Sequence, residues 1–94
     1  MGALSMYHFT LYSRSYCHLC QDMLDQLRTA MADIEYEIDV LDIDIAGNEA
    51  LLERYDELVP VLTGSVGGSA AKQLCHYFLD LPALNIFLSS AVEG

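Results

Sequence analysis

Between Tyr7 and Val40 the hydrophobic period of the chain changes twice, and those changes restrict the available folds more than any other feature. Tyr7 to Tyr12, reading YHFTLY, is a short aromatic and β-branched run ending at Ser13, the pattern of a buried strand. Leu19, Cys20, Met23, Leu24, Leu27, Ala30 and Met31 then recur at the three-and-four spacing of one helical face, predicting a helix from about Cys17 to Ala32. From Ile34 the spacing drops to two: Ile34, Tyr36, Ile38 and Val40 alternate with Glu35, Glu37 and Asp39, as in a half-buried strand. At Val40-Leu41 the alternation slips, and Leu41, Ile43 and Ile45 continue on the other phase, so a bulge or the strand's end is expected there. A strand–helix–strand unit of this length implies a parallel pair with a right-handed crossover.

Ala46-Gly47-Asn48 reads as a turn, with Asn48 capping a short helix through about Tyr55 that turns Leu51, Leu52 and Tyr55 inward. Val59 to Thr63 is another apolar strand, with Pro60 at its beginning, where a missing N–H is tolerated. Gly67-Gly68 is a hairpin signal that returns the chain through Lys72 to Tyr77 as an antiparallel partner. Asp80 is an N-cap for a last helix with Pro82 in its first turn and Leu81, Leu84, Phe87, Leu88 and Ala91 as its apolar stripe. The order β-α-β-α-β-β-α describes an α/β chain: a four-stranded mixed sheet flanked by helices.

The 94 residues are read as one domain, 1–94, and 53% hydrophobic content supplies a core without disulfide staples. Three cysteines is an odd count, and the chain starts with no secretory pattern, so a reducing cytoplasm is expected. In that compartment a close cysteine pair is catalytic or metal-binding rather than structural. No apolar run is long enough to span a membrane. A formal charge of -10 repels nucleic acid and anionic membrane surfaces. Ten of the 14 acids lie between Asp33 and Glu57, where Arg54 is the only base. That segment reads as a solvated acidic face, with a docking surface for a basic partner as the alternative.

The segment YSRSYCHLC places Cys17 at the seam of strand and helix, where an N-cap side chain would sit. Unpaired backbone N–H groups and the positive end of the helix dipole favour thiolate over thiol there. Cys20 lies one turn further on the same face, placed to attack a mixed disulfide at Cys17. The roles follow: Cys17 attacks and Cys20 resolves. Arg14 can add positive potential, and His18 can stabilise the thiolate or shuttle a proton, although each also reads as a solvated side chain. A closed zinc site needs four ligands. Cys17 and Cys20 supply two, but Cys75 and His76, adjacent on a strand, point to opposite faces.

LYSRSYCHLC resembles the strand-to-helix active-site segment of glutaredoxins, within the thioredoxin fold. Asp42-Ile43-Asp44, Asn48, Leu52-Glu53-Arg54-Tyr55 and Val59-Pro60-Val61-Leu62 follow the pattern that thioredoxins and glutaredoxins share. The wording CHLC and LLERYDELVPVL is similar to a small, mostly bacterial glutaredoxin-like group. The resemblance implies a thioredoxin-like fold in which Pro60 is cis and packs against the cysteine pair. Arg14, Tyr16 and His18, beside the pair, are expected to contact substrate, and the resemblance implies that Val59 and Pro60 do so too, with Val59 pairing an extended substrate segment by strand addition. Tyr77-Phe78-Leu79-Asp80 has the acid but not the glycines with which glutaredoxins hold glutathione.

These features describe a monomeric thiol–disulfide oxidoreductase with no resident cofactor or metal. It would exchange with a disulfide-containing protein, or with glutathione as co-substrate, and be regenerated by a separate reductase. The alternative is a non-catalytic thioredoxin-like binding module serving a partner protein. Cys75, near the active-site end of the fourth strand, reads as a small buried apolar residue, with a regulatory disulfide or glutathionylation site as the other reading.

Overall fold

The computed structural model describes residues 7–45, 47, 49–67 and 69–93, with side chains to residue 89. Ala46, Asn48, Gly68 and the Ala91 side chain, all used in the sequence reading, lie outside the described residues. The elements are β1 (Tyr7–Ser13), α1 (His18–Ala30), β2 (Tyr36–Asp42), α2 (Glu49–Tyr55), β3 (Val61–Val66), β4 (Lys72–His76) and α3 (Leu81–Glu93). They form a four-stranded sheet in the order β2-β1-β3-β4. β1 runs parallel to β2, from Tyr7 opposite Tyr36 to Ser13 opposite Asp42, and antiparallel to β3, from Tyr7 opposite Val66 to Tyr12 opposite Val61. The hairpin partner β4 pairs Val61 with His76 and Leu62 with Cys75, then shifts register before Thr63.

Side-chain alternation along β1 sends its residues to two cores. Phe9 and Leu11 meet Met23, Leu27 and Met31 from the α1 region, Leu84 and Phe87 of α3, and Leu62 and Cys75 of the sheet. Tyr12 faces the opposite core, where it stacks on Tyr55 of α2 at 4.6 Å beside Ile43 and Val61. Helices thus cover both faces: α1 and α3 on one, α2 on the other. Gly64 is required by this packing, because a Cβ there would sit 3.0 Å from the Phe87 ring and 3.1 Å from Leu74.

β2 lies at the sheet edge, and its burial alternates from Tyr36 to Asp39 and then loses the alternation at Val40-Leu41, where the sequence period slips. Of the two alternatives expected there, the bulge is absent, and the strand's end falls at Asp42, one residue beyond Leu41. The two hydrophobic phases are the two faces of one strand, with Ile43 buried beside Tyr55 just past its end. As an edge strand, β2 also leaves Val40 47% and Leu41 38% exposed, and Ile34 falls outside it.

Elsewhere the boundaries move by small amounts. α1 buries a narrow line, Cys20, Met23 and Leu27, so Leu19 and Ala30, expected on that face, are exposed. β3 starts at Val61, after Pro60 rather than at Val59, and β4 ends before Tyr77, whose φ is 67°. Asp80 caps α3 as expected, its Oδ1 accepting the Ala83 N–H at 3.0 Å. Leu84 and Phe87 face the core, whereas Leu81, expected on the same stripe, is 51% exposed in the first turn.

Leu27 is fully buried between α1 and the sheet. Leu27→Ala is expected to lower unfolding stability by about 2–5 kcal/mol, read as a fall in denaturant midpoint with an unchanged slope.

Candidate functional site

The C-terminal end of β1 meets the chain's distant loops at one edge of the sheet. Cys17 is the N-cap of α1, with extended backbone angles (φ -109°, ψ 105°), and its carbonyl accepts the Gln21 N–H at 3.2 Å. Its Sγ accepts the Cys20 N–H at 3.1 Å and forms a disulfide with Cys20, the Cα atoms lying 5.2 Å apart. The same sulfur therefore serves as helix cap and as half of the disulfide. Cys20 is 5% exposed, whereas Cys17 is only half-buried, so a molecule approaching from solvent reaches the Cys17 sulfur first.

Tyr16 makes the turn from strand to helix with φ 60° and a side chain wholly in solvent. A left-handed conformation costs a non-glycine residue about 1–2 kcal/mol, and no burial of the ring offsets it. His18 opens α1 and is exposed. A cavity of about 380 Å³ opens beside the disulfide, and Arg14, Tyr16 and His18 line it together with Leu24 and Val40.

Val59 and Pro60 do not line that cavity. The Val59–Pro60 bond is cis, and Pro60 is buried directly before β3. The Val59 N–H donates to the Tyr55 carbonyl at 3.1 Å, and the Pro60 carbonyl accepts the Tyr77 N–H at 2.8 Å. Tyr77 grips the loop a second time through its hydroxyl, which donates to the Glu57 carbonyl.

Arg14 points into a set of carboxylates. Its Nε donates to Asp44 at 3.0 Å, and its Nη2 donates to Asp44 at 2.8 Å and to Asp56 at 2.9 Å. A further donor reaches the Asp56 carbonyl at 3.2 Å. Ser15 Oγ donates to Asp42 at 2.9 Å, and the Ile43 N–H donates to the Ser13 carbonyl at 2.9 Å. The loop carrying the cysteines is thereby tied to the segment after β2 and to the turn after α2. These bonds push the Arg14 pKa upward, and Arg14 holds the Asp44 carboxyl below its ordinary value.

Cys75 lies in the core beneath Leu62 rather than at the surface, and burial raises its thiol pKa. Among the described residues no group of three or more His, Cys, Asp or Glu is arranged to hold a metal ion. The sequence reading did not find Asp44, Asp56 or Tyr77. A base in so acidic a chain signals that carboxylates will gather round it, but nothing in the pattern says which ones.

Because Arg14 depresses the Asp44 pKa, this contact contributes at pH values above the usual carboxylate range and is lost as pH falls through the lowered pKa. The Asp44 carboxyl is expected to titrate below about 3.9 by 13C NMR, and to return toward that value in Arg14→Gln. A midpoint that Arg14→Gln leaves unmoved would show that the ion pair is not populated in solution.

Comparison with known proteins agrees with this geometry. The family model described as glutaredoxin-like domain (DUF836) matches residues 8–89. The solution structure of protein Ne2328 from Nitrosomonas europaea is 34% identical, with 93% of this chain and 96% of that chain covered and a TM-score of 0.69. A structural-genomics target protein from X. campestris is 28% identical over 88% of this chain and 97% of its own, with a TM-score of 0.56. A variant thioredoxin from Halobacterium salinarum NRC-1 is 20% identical, covers 93% of this chain and 75% of its own, and has a TM-score of 0.65, a likeness of fold. No curated protein matches the chain. With a thioredoxin-like fold and a family match across nearly its whole length, the chain belongs to the glutaredoxin-like domain family.

Proposed function

We propose that the protein is a thiol–disulfide oxidoreductase working through the Cys17–Cys20 couple. The observation that carries this reading is the asymmetry of the pair: a half-buried Cys17 at the N-terminus of α1, joined to a buried Cys20 one turn away. In the reduced protein, the positive end of the helix and the Cys20 N–H favour the Cys17 thiolate.

That thiolate attacks one sulfur of a substrate disulfide. The Cys17–substrate bond forms as the substrate's S–S bond breaks, and the first substrate thiolate leaves. The Cys20 thiolate then attacks the Cys17 sulfur, releasing the second substrate thiolate and forming the Cys17–Cys20 disulfide. Two electrons have passed to the substrate, and the reverse sequence oxidises a substrate dithiol. In this reading Tyr16 and His18 flank the incoming group at the cavity, and Val59 and Pro60 receive an extended segment on their side of the pair. Arg14 acts by positioning the loop through Asp44 and Asp56. A separate reductase, or glutathione as co-substrate, would regenerate the dithiol.

In the reduced protein Cys17 is expected to be alkylated by iodoacetamide ahead of Cys75, with a midpoint below the pH of about 8.5 typical of a free thiol. Cys20→Ser is expected to trap a mixed disulfide with 2-hydroxyethyl disulfide at Cys17, detected by mass, whereas Cys17→Ser reduces disulfide exchange to background. Free-thiol titration of Cys17, or undiminished exchange in Cys17→Ser, would overturn the assignment. A binding module would instead show no exchange in the unmutated protein.

A further inference from the structure

Among the described Lys, Arg, Asp and Glu residues, Arg14 alone lines the disulfide cavity, and the carboxylates that hold it line the adjoining cavity. The chain has only four Lys and Arg residues, Arg14 among them. Arg28 lies in the last turn of α1, at the other end of the helix from Cys17. Lys72 begins β4, whose opposite end, His76, is the one that pairs beside the site. Arg54 lies over the Tyr55 ring at 5.4 Å. Arg14 is the base that lines the disulfide cavity, and its guanidinium is held by Asp44 and Asp56 at 2.8 and 2.9 Å. The adjoining cavity carries Asp44, Glu53, Asp56 and Glu57 against Arg14 and Arg54, an excess of carboxylates. The imidazoles of His18 and His76 are not permanent cations.

We infer that the couple exchanges with disulfides carried on positively charged molecules, basic polypeptide segments being the natural class, and discriminates against anionic ones such as glutathione disulfide. This inference rests on the redox reading above and specifies its substrate. An anionic disulfide entering the cavity meets an Arg14 whose charge is already balanced twice, inside the field of a chain with formal charge -10. A cationic one is drawn by the same field toward a cavity that adjoins, through Arg14, the one lined by the carboxylates. Fields of this size change association rates by about tenfold or more, and salt suppresses the effect. The covalent step is the exchange already written: two electrons leave the Cys17–Cys20 dithiol, one disulfide bond forms in the protein and one breaks in the substrate.

The test is single-turnover oxidation of the pre-reduced protein by cystamine, a dication, by neutral 2-hydroxyethyl disulfide and by glutathione disulfide. Measurements are made at about pH 8, where imidazoles are neutral. Each rate constant is divided by that of 2-mercaptoethanol with the same disulfide, which removes intrinsic reactivity. The normalised cystamine-to-glutathione ratio is expected to be about tenfold or more at about 10 mM salt and to fall toward one at about 500 mM. In an Asp44→Asn, Asp56→Asn double variant, which frees Arg14, the ratio is expected to drop severalfold at low salt. The salt series on the unmutated protein stands even if that variant does not fold. A low-salt ratio of one or below, or one that salt does not change, overturns the charge preference and leaves the redox reading intact. Failure of all three disulfides to oxidise the protein overturns both.

Discussion

The double pairing of β1 is the constraint on which the rest of the structure depends. This strand is bonded along its length to β2 on one side and β3 on the other, in opposite senses. Parallel pairing with β2 compels a crossover, and α1 is that crossover. Antiparallel pairing with β3 brings Val61, and hence Pro60 before it, beside Tyr12 near the strand's exit. Residues remote in sequence therefore meet at one sheet edge because a single strand has two partners. Its alternation then divides the apolar residues, with Phe9 and Leu11 anchoring one core and Tyr12 the other.

What could be read from the sequence was what local period determines. The element order, the Cys17 cap and the Asp80 cap all follow from patterns within a few residues, and they agree with the structure. The misreadings arise where tertiary context decides. At Val40-Leu41 the lost alternation left a bulge and the strand's end as alternatives, and only the pairing with β1 shows a regular strand that ends at Asp42. Leu19, Ala30 and Leu81 carry the helical pattern but lie beyond the narrow strip that α1 and α3 actually cover.

The candidate site shows the same division more sharply. The cysteine pair is local and was legible. The partners of Arg14 are 30 and 42 residues away, and their choice depends on how two loops close over the sheet edge. Tyr77 was invisible for a different reason: its left-handed backbone would be anticipated at a glycine, not at an aromatic residue. Surface ion pairs of this kind add little to global stability. Their effect here is geometric, since the Arg14 bonds hold the cysteine loop against two others.

The odd cysteine has a consequence of its own. If the Cys17–Cys20 pair cycles through a dithiol as proposed, a third thiol in the chain could close the wrong pair. Cys75 sits in the strand that returns to the active-site edge, close enough in topology for that hazard to be real. It is buried opposite Leu62 in the core, and burial pulls its pKa upward, which favours the thiol over the thiolate. Core packing thus separates the roles of the three cysteines in the fold: Cys17 and Cys20 share a disulfide at the start of α1, and Cys75 belongs to the core.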